Sequence, residues 1–156
     1  LYGGDETTAL RAGLLHDVTK AIDGEDQLLL VEKYDIIISD FERTHPKLLH
    51  AKTGAAVAKY VFGESEEVQK SIYWHTTGKA DMSLMEKLIY LADYMEPTRN
   101  FPGVEELRAL AWTDLDRAML LAFTMCIDEL VREKKHVCSD SQEALDFIAK
   151  QLAVKV

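Results

Sequence analysis

Five side chains of the types that ligate transition metals stand out in this chain: His16 and Asp17 side by side, then His50, His75 and Asp93. Imidazole and carboxylate together suit iron, manganese, cobalt or zinc better than calcium, and no thiolate accompanies them. A cation held by such groups can acidify a water molecule and direct the resulting hydroxide at phosphorus. Neighbouring residues of a helix point about 100° apart. A His-Asp doublet therefore reaches one ion only from the edge of a groove, with other helices supplying further ligands. Asp93 falls among Leu88, Ile89, Leu91, Ala92 and Met95, on a helix expected to be largely buried. An aspartate there is costly unless paired or bound to a cation.

Each of these residues also has an ordinary reading. A lone His-Asp doublet is common on surfaces. His50 can serve as a helix N-terminal residue, and His75 as a C-terminal one favoured by the helix dipole. Asp93 can pair with Lys87 or Arg99. Taken together the five favour a metal, since the ordinary account needs a separate reason for each. His45 and His136 keep the ordinary reading.

The elements that must position these residues are helical nearly throughout. Asp5 is placed to cap a helix to about Ala21, with Leu10, Leu14 and Val18 recurring on one face. A shorter helix is expected over Gln27 to Tyr34. The run from Asp35 to Asp40, holding Ile36-Ile37-Ile38, is the only strand-like stretch and reads as a buried connection. His45-Pro46 marks a break. From His50 to about Phe62 the small residues Gly54, Ala55 and Ala58 permit close helix approach, and Gly63 ends the helix. Ser65 caps the next, running to His75, and Thr76-Thr77-Gly78 ends it. Ser83 with Glu86 forms a capping box for an apolar helix to about Met95, stopped by Pro97. A short helix follows from Val104 to Ala111. Thr113 with Asp116 opens a long one to about Lys134, and Ser139 with Gln142 opens the last, to Leu152. One all-α domain over residues 1–156 is the expectation.

Composition narrows the partners. The 156 residues are 47% apolar and 29% charged, as in an ordinary globular domain. No apolar run approaches the ~20 residues of a membrane span, and no charged-then-apolar leader opens the chain. Two cysteines, Cys126 and Cys138, outside a CxxC spacing suit reduced thiols in the cytoplasm. The net charge of −9 argues against a nucleic-acid polymer. It leaves room for a small anion, because a metal or a few basic side chains can reverse the potential in one pocket. Trp112, Met119, Phe123 and Met125 offer apolar material for a homodimer face, though ordinary core is the preferred role for them.

The segment Ala12-Gly13-Leu14-Leu15-His16-Asp17-Val18-Thr19-Lys20, followed by Leu48-Leu49-His50 and Gly54, resembles the HD-domain superfamily. Trp74-His75-Thr76-Thr77-Gly78-Lys79, Tyr90-Leu91-Ala92-Asp93-Tyr94-Met95-Glu96-Pro97 and Arg99-Asn100-Phe101-Pro102-Gly103-Val104 resemble its bacterial YqeK family in particular. The resemblance implies a helical HD-domain bundle and symmetrical hydrolysis of diadenosine tetraphosphate to two ADP by metal-bound hydroxide, with iron as the metal. It implies His16, Asp17 and Asp93 as metal ligands. His50 and His75 become catalytic groups facing the substrate phosphates or a second metal, with Asp17 also bordering the substrate. It gives Lys20 and Arg99 the neutralising of phosphate oxygens, which suits their charge. The ordinary alternatives are a lysine on a helix C-terminus and a solvated loop arginine.

Two departures accompany the match. The family carries a further ligand histidine in a helix before the Tyr-Gly pair matched by Tyr2-Gly3, so the bundle is expected to lack its first helix as written. Cys138 stands where a histidine is expected. Two other functions stay open at this point: an HD-type nucleotidase acting on monophosphates, and a non-catalytic nucleotide-binding module.

Overall fold

The computed structural model describes residues 1–154, and every regular element among them is helical. The chain divides into two compact units, Gly4–Thr76 and Thr77–Val156, the latter joined by Leu1–Gly3.

In the first unit Asp5 caps α1 (Glu6–Leu15) by accepting from the Thr8 amide. The sequence pattern carries this helix on to Ala21, but it ends at Leu15 and residues 16–20 continue as turns. The reason is tertiary. Thr19 turns its hydroxyl to the His50 carbonyl, and its own carbonyl accepts from the Gln27 side chain, so side-chain hydrogen bonds replace the helical ladder. Leu10 and Leu14 are 64% and 72% exposed, while Ala12 is fully buried. α1 packs against α5.

Asp23 accepts from the amides of Glu25 and Asp26 and starts α2 (Gly24–Lys33) ahead of the expected Gln27. The isoleucine run that follows is not a buried connection: Ile37 is 87% exposed and its two neighbours are half-buried. Two short elements went unexpected beyond it. Ser39 and Glu42 form a capping box for α3 (Asp40–Thr44), and Pro46–Leu49 makes a 3-10 turn. Lys52 reaches back to Glu42 at 2.8 Å and ties this segment down. α4 (His50–Tyr60) and α5 (Glu66–Tyr73) pack together, with Ala51, Gly54, Ala55 and Ala58 of α4 buried against Val68 and Ile72 of α5. Gly54 brings α4 against the turn that carries the His-Asp doublet: a Cβ there would be in van der Waals contact with the His16 carbonyl oxygen at 3.4 Å.

In the second unit Ser83 and Glu86 form the expected capping box for α6 (Leu84–Tyr94). It is followed by α7 (Val104–Ala111), α8 (Leu115–Arg132) and α9 (Ser139–Val154). The cap of α8 is Asp114, accepting from the Arg117 amide, one residue after the expected Thr113. Asp116 is turned instead to Lys87, 2.8 Å away. Met119 and Phe123 are buried with Tyr90, Leu91, Leu107 and Ile148 in one apolar core, which is the role preferred for them. Tyr2 donates to the Ala111 carbonyl. Gly78 has a positive φ of 66°, and a Cβ there would meet the Phe123 ring at 2.5 Å, so the turn after His75 needs glycine twice over.

Candidate metal centre

The first unit brings His16, Asp17, His50 and His75 to one place. Each arrives by a different route. His16 caps the C-terminal end of α1, Asp17 lies in the turn after it, His50 opens α4, and His75 lies in the turn beyond α5. One ligand atom from each of His16, Asp17 and His75 lies within 4.8 Å of the others.

The three imidazoles are oriented in the same way. Nδ1 of His16 donates to the Gly13 carbonyl at 2.7 Å, Nδ1 of His50 to the Lys47 carbonyl at 2.9 Å, and Nδ1 of His75 to the Ile72 carbonyl at 2.6 Å. A carbonyl only accepts, so Nδ1 carries the hydrogen in each ring and Nε2 of the neutral ring presents a lone pair. All three Nε2 atoms point at one carboxylate. His50 and His75 stand 3.4 and 3.5 Å from Asp17 Oδ1, and His16 stands 3.5 Å from Asp17 Oδ2. Asp17 Oδ1 and His50 Nε2 are buried and have no hydrogen-bond partner. The His75 side chain is fully buried, and its ring meets those of His16 and His50 edge-on at 5.0 and 5.1 Å.

Lone pairs of nitrogen and carboxylate oxygen gathered in this way repel one another unless positive charge stands among them. A metal bound through Nε2, with Nδ1 held by a backbone carbonyl, is the usual disposition of a ligand histidine. The donor set therefore fits a borderline transition metal. At its outer edge Lys20 donates to Asp17 Oδ2 at 2.6 Å.

Asp93 and Arg99 belong to the second unit, where they lie together. Asp93 sits near the end of α6 with its side chain 20% exposed, less buried than the surrounding apolar sequence suggests. Its Oδ1 is 3.4 Å from the Arg99 guanidinium. Arg99 also approaches Glu96 at 3.5 Å. Hydrogen bonds from the Thr98 hydroxyl and amide, helped by Arg99, hold the Glu96 carboxyl below its ordinary value. Arg108, unremarked in the sequence, fixes this loop by donating to the carbonyls of Met95, Glu96 and Arg99 at 3.0, 2.7 and 3.0 Å. Also missed were Thr19, Gln27 and Thr53, three buried polar side chains beside the histidine cluster. Their signal was polarity in an apolar register, since Gln27 and Val31 are the buried positions of α2.

These observations define a helical protein with a histidine-carboxylate centre. Its family follows from comparison with known proteins: residues 2–98 match the HD domain model, and the chain belongs to the HD-domain family. The chain is 38% identical over 142 residues to the symmetrical bis(5'-nucleosyl)-tetraphosphatase of Halalkalibacterium halodurans, covering 90% of this chain and 75% of that protein. It is 36% identical over 143 residues to the Bacillus subtilis protein of the same name, with 90% and 75% covered. Among solved structures, it matches an HD superfamily hydrolase from Clostridium acetobutylicum described as involved in NAD metabolism. There the TM-score is 0.91 and the identity 36%, over 96% of this chain and 80% of that one.

Proposed function

We propose that this chain is a metal-dependent hydrolase that splits dinucleoside tetraphosphates symmetrically, taking diadenosine tetraphosphate and water to two ADP. The observation that carries the reading is the convergence of three Nε2 atoms on the Asp17 carboxylate. The substrate class is drawn from the two relatives above, both named for this reaction. His16, Asp17 and His75 would hold the metal, with Asp93 as a further donor by family resemblance. Iron is the metal proposed, ahead of manganese, cobalt and zinc. When bound, such a cation supplies Lewis acidity at phosphorus and makes water a better nucleophile at neutral pH.

The chain's own groups do the rest. His50, with Nδ1 anchored on the Lys47 carbonyl, presents the Nε2 lone pair as the atom that would accept and return a proton beside the phosphates, work to which imidazole chemistry is suited. His75 is fixed in the same way but lies with the donor set, so its part is to hold the metal. Lys20 and Arg99 would neutralise phosphate oxygens. Symmetry of cleavage is a matter of which bridge is held at the centre: water adds to one of the two inner phosphorus atoms and the P–O bond between them breaks, leaving equal halves.

The test is product analysis with the metal-loaded chain. Two ADP per diadenosine tetraphosphate, lost in Asp17→Asn and in Asp93→Ala, is the expected result. AMP with ATP, or phosphate released from nucleoside monophosphates instead, would replace this reading with another hydrolase. Tight nucleotide binding without turnover would make the chain a binding module. Asp93→Ala with full activity and metal content would remove Asp93 from the donor set alone. A cytoplasmic setting, in keeping with two free cysteines, and a homodimer belong to the same proposal. Of the apolar residues considered for a dimer face, Trp112 is 69% exposed.

A further inference from the structure

In the turn that carries His16 and Asp17 the helical ladder gives way to shorter-range backbone bonds. Beyond His16, which still donates to the Ala12 carbonyl, only three-residue turns remain, Lys20 to Asp17 and Ile22 to Thr19 among them. What anchors the turn is a polar cluster beneath it. Thr19, Gln27 and Thr53 are 1%, 1% and 0% exposed. Gln27 Nε2 donates to the Thr19 carbonyl at 2.6 Å, and Gln27 Oε1 accepts from the Thr53 hydroxyl at 2.6 Å. The Thr19 and Thr53 hydroxyls are 2.9 Å apart, and Thr19 Oγ1 is 2.9 Å from the His50 carbonyl oxygen.

The sense of these bonds is determined. The Thr19 carbonyl only accepts, so the Gln27 amide must present its NH2 there and its oxygen to Thr53. Thr53 has one proton, and Gln27 Oε1 at 2.6 Å is nearer to it than the Leu49 carbonyl at 3.0 Å, while Thr19 keeps its own for the His50 carbonyl or the Thr53 oxygen. Gln27 thus bridges the doublet's turn and the start of α4 with its two ends, beside the direct bonds that Thr19 makes to His50 and Thr53. An aliphatic side chain would fill the same space without the cost of burying an amide. A buried polar cluster that is fully satisfied specifies one arrangement where apolar packing tolerates several.

We propose that Gln27 is a positioning residue for the candidate metal centre, holding the His16–Asp17 turn against the N-terminus of α4 so that the Asp17 carboxylate meets the histidine Nε2 atoms. The inference rests on the reading that His16, Asp17 and His75 bind a metal. Outer groups that orient ligands in this way are worth about 10–100-fold in metal affinity.

The experiment measures Mn(II) affinity of the full chain by titration, beside circular dichroism and thermal melting. Gln27→Met keeps length and bulk and removes both hydrogen bonds. Its dissociation constant should rise by about tenfold or more, with helical content unchanged. Thr53→Ser keeps the hydroxyl and should bind as wild type does, whereas Thr53→Val should weaken binding as Gln27→Met does. The double variant Gln27→Met, Thr53→Val should lose less than the sum of the two single losses, because both break the Gln27–Thr53 bond. A Gln27→Met protein that melts earlier yet binds Mn(II) like wild type overturns the proposal and leaves Gln27 purely structural. Should Gln27→Met not fold, equal affinities in Thr53→Ser and Thr53→Val overturn it equally. Wild type that takes up no Mn(II) overturns the metal centre itself, and the positioning role with it.

Discussion

A cation at the histidine cluster should stabilise the folded chain, and the size of the effect can be worked out. The folded state gathers three Nε2 atoms within 3.4 to 3.5 Å of the oxygens of one carboxylate; the unfolded chain disperses them. A ligand that binds only the folded state at a hundred times its Kd contributes about 2.7 kcal/mol. For a chain of 156 residues, each kcal/mol moves Tm by roughly 2–4 °C, so the rise should be about 5–11 °C. The assay is a melt followed by far-ultraviolet circular dichroism, with Mn(II) or Fe(II) under reducing, anaerobic conditions, and again with excess chelator. Asp17→Asn keeps the shape of the side chain and removes the charge the histidines face, and it should abolish the rise. If Asp17→Asn rises as far as wild type, the ion is bound elsewhere. If wild type shows no rise at millimolar cation, the convergence of these atoms has some other cause and the reasoning fails.

Arg99→Ala should weaken diadenosine tetraphosphate binding more than ADP binding, since a guanidinium contributes through charge-assisted bonds to phosphate oxygens; equal losses for nucleoside and nucleotide would make Arg99 structural. Gly78→Ala combines a positive φ with a Cβ 2.5 Å from the Phe123 ring. It should cost about 2–5 kcal/mol from left-handed strain and overpacking together, and an unfolding free energy from denaturant titration lowered by less than about a fifth of that would be contrary. Arg108→Met removes three donations to carbonyls of the loop after α6 and should speed hydrogen exchange at the Arg99 amide, which bonds the Glu96 carbonyl; unchanged exchange would show the loop to be held otherwise. Burial pushes the Glu42 carboxyl up, but hydrogen bonds from Lys52 and Ser39 outweigh it and leave the folded value below the ordinary 4.5. A depressed carboxyl stabilises above its ordinary value and loses that contribution as pH falls through the folded one, so Glu42→Gln should flatten the acid limb of Tm against pH. An acid limb of unchanged slope would assign the loss to other groups.

The helices legible from sequence were those whose signals are local. Ser65 and Ser83 cap where their side chains can reach an amide three residues on, and that chemistry needs no knowledge of the rest of the fold. The end of α1 was not legible because it is set from a distance: Thr19 leaves the helical pattern to bond with His50, and Gln27 closes over it. The same holds for the exposed face of Leu10 and Leu14, where periodicity found an apolar stripe but could not say which stripe meets α5. At the candidate metal centre, residue types singled out His16, Asp17, His50 and His75, yet no spacing could show that Nε2 of His75 stands 3.5 Å from Asp17 Oδ1. That placement depends on the turn after α5 bringing Nε2 to Asp17, and on the Ile72 carbonyl holding Nδ1.

The charge balance gives the proposed metal a second task. A chain of net charge −9 must bring a polyphosphate to groups that are mostly committed already. Lys20 lies 2.6 Å from Asp17, and Arg99 lies beside Asp93 and Glu96. Neither cation offers its full charge to an incoming phosphate while its carboxylate remains uncompensated. A divalent ion at Asp17 compensates that carboxylate directly, so it both adds positive charge and loosens the hold of Asp17 on Lys20. Substrate affinity should therefore depend on metal by more than the bond between metal and phosphate, and the excess should vanish in Lys20→Met. Binding of a non-hydrolysable tetraphosphate analogue, titrated with and without Mn(II) in both proteins, reads that coupling. An equal gain from Mn(II) in wild type and Lys20→Met would place Lys20 outside the substrate site.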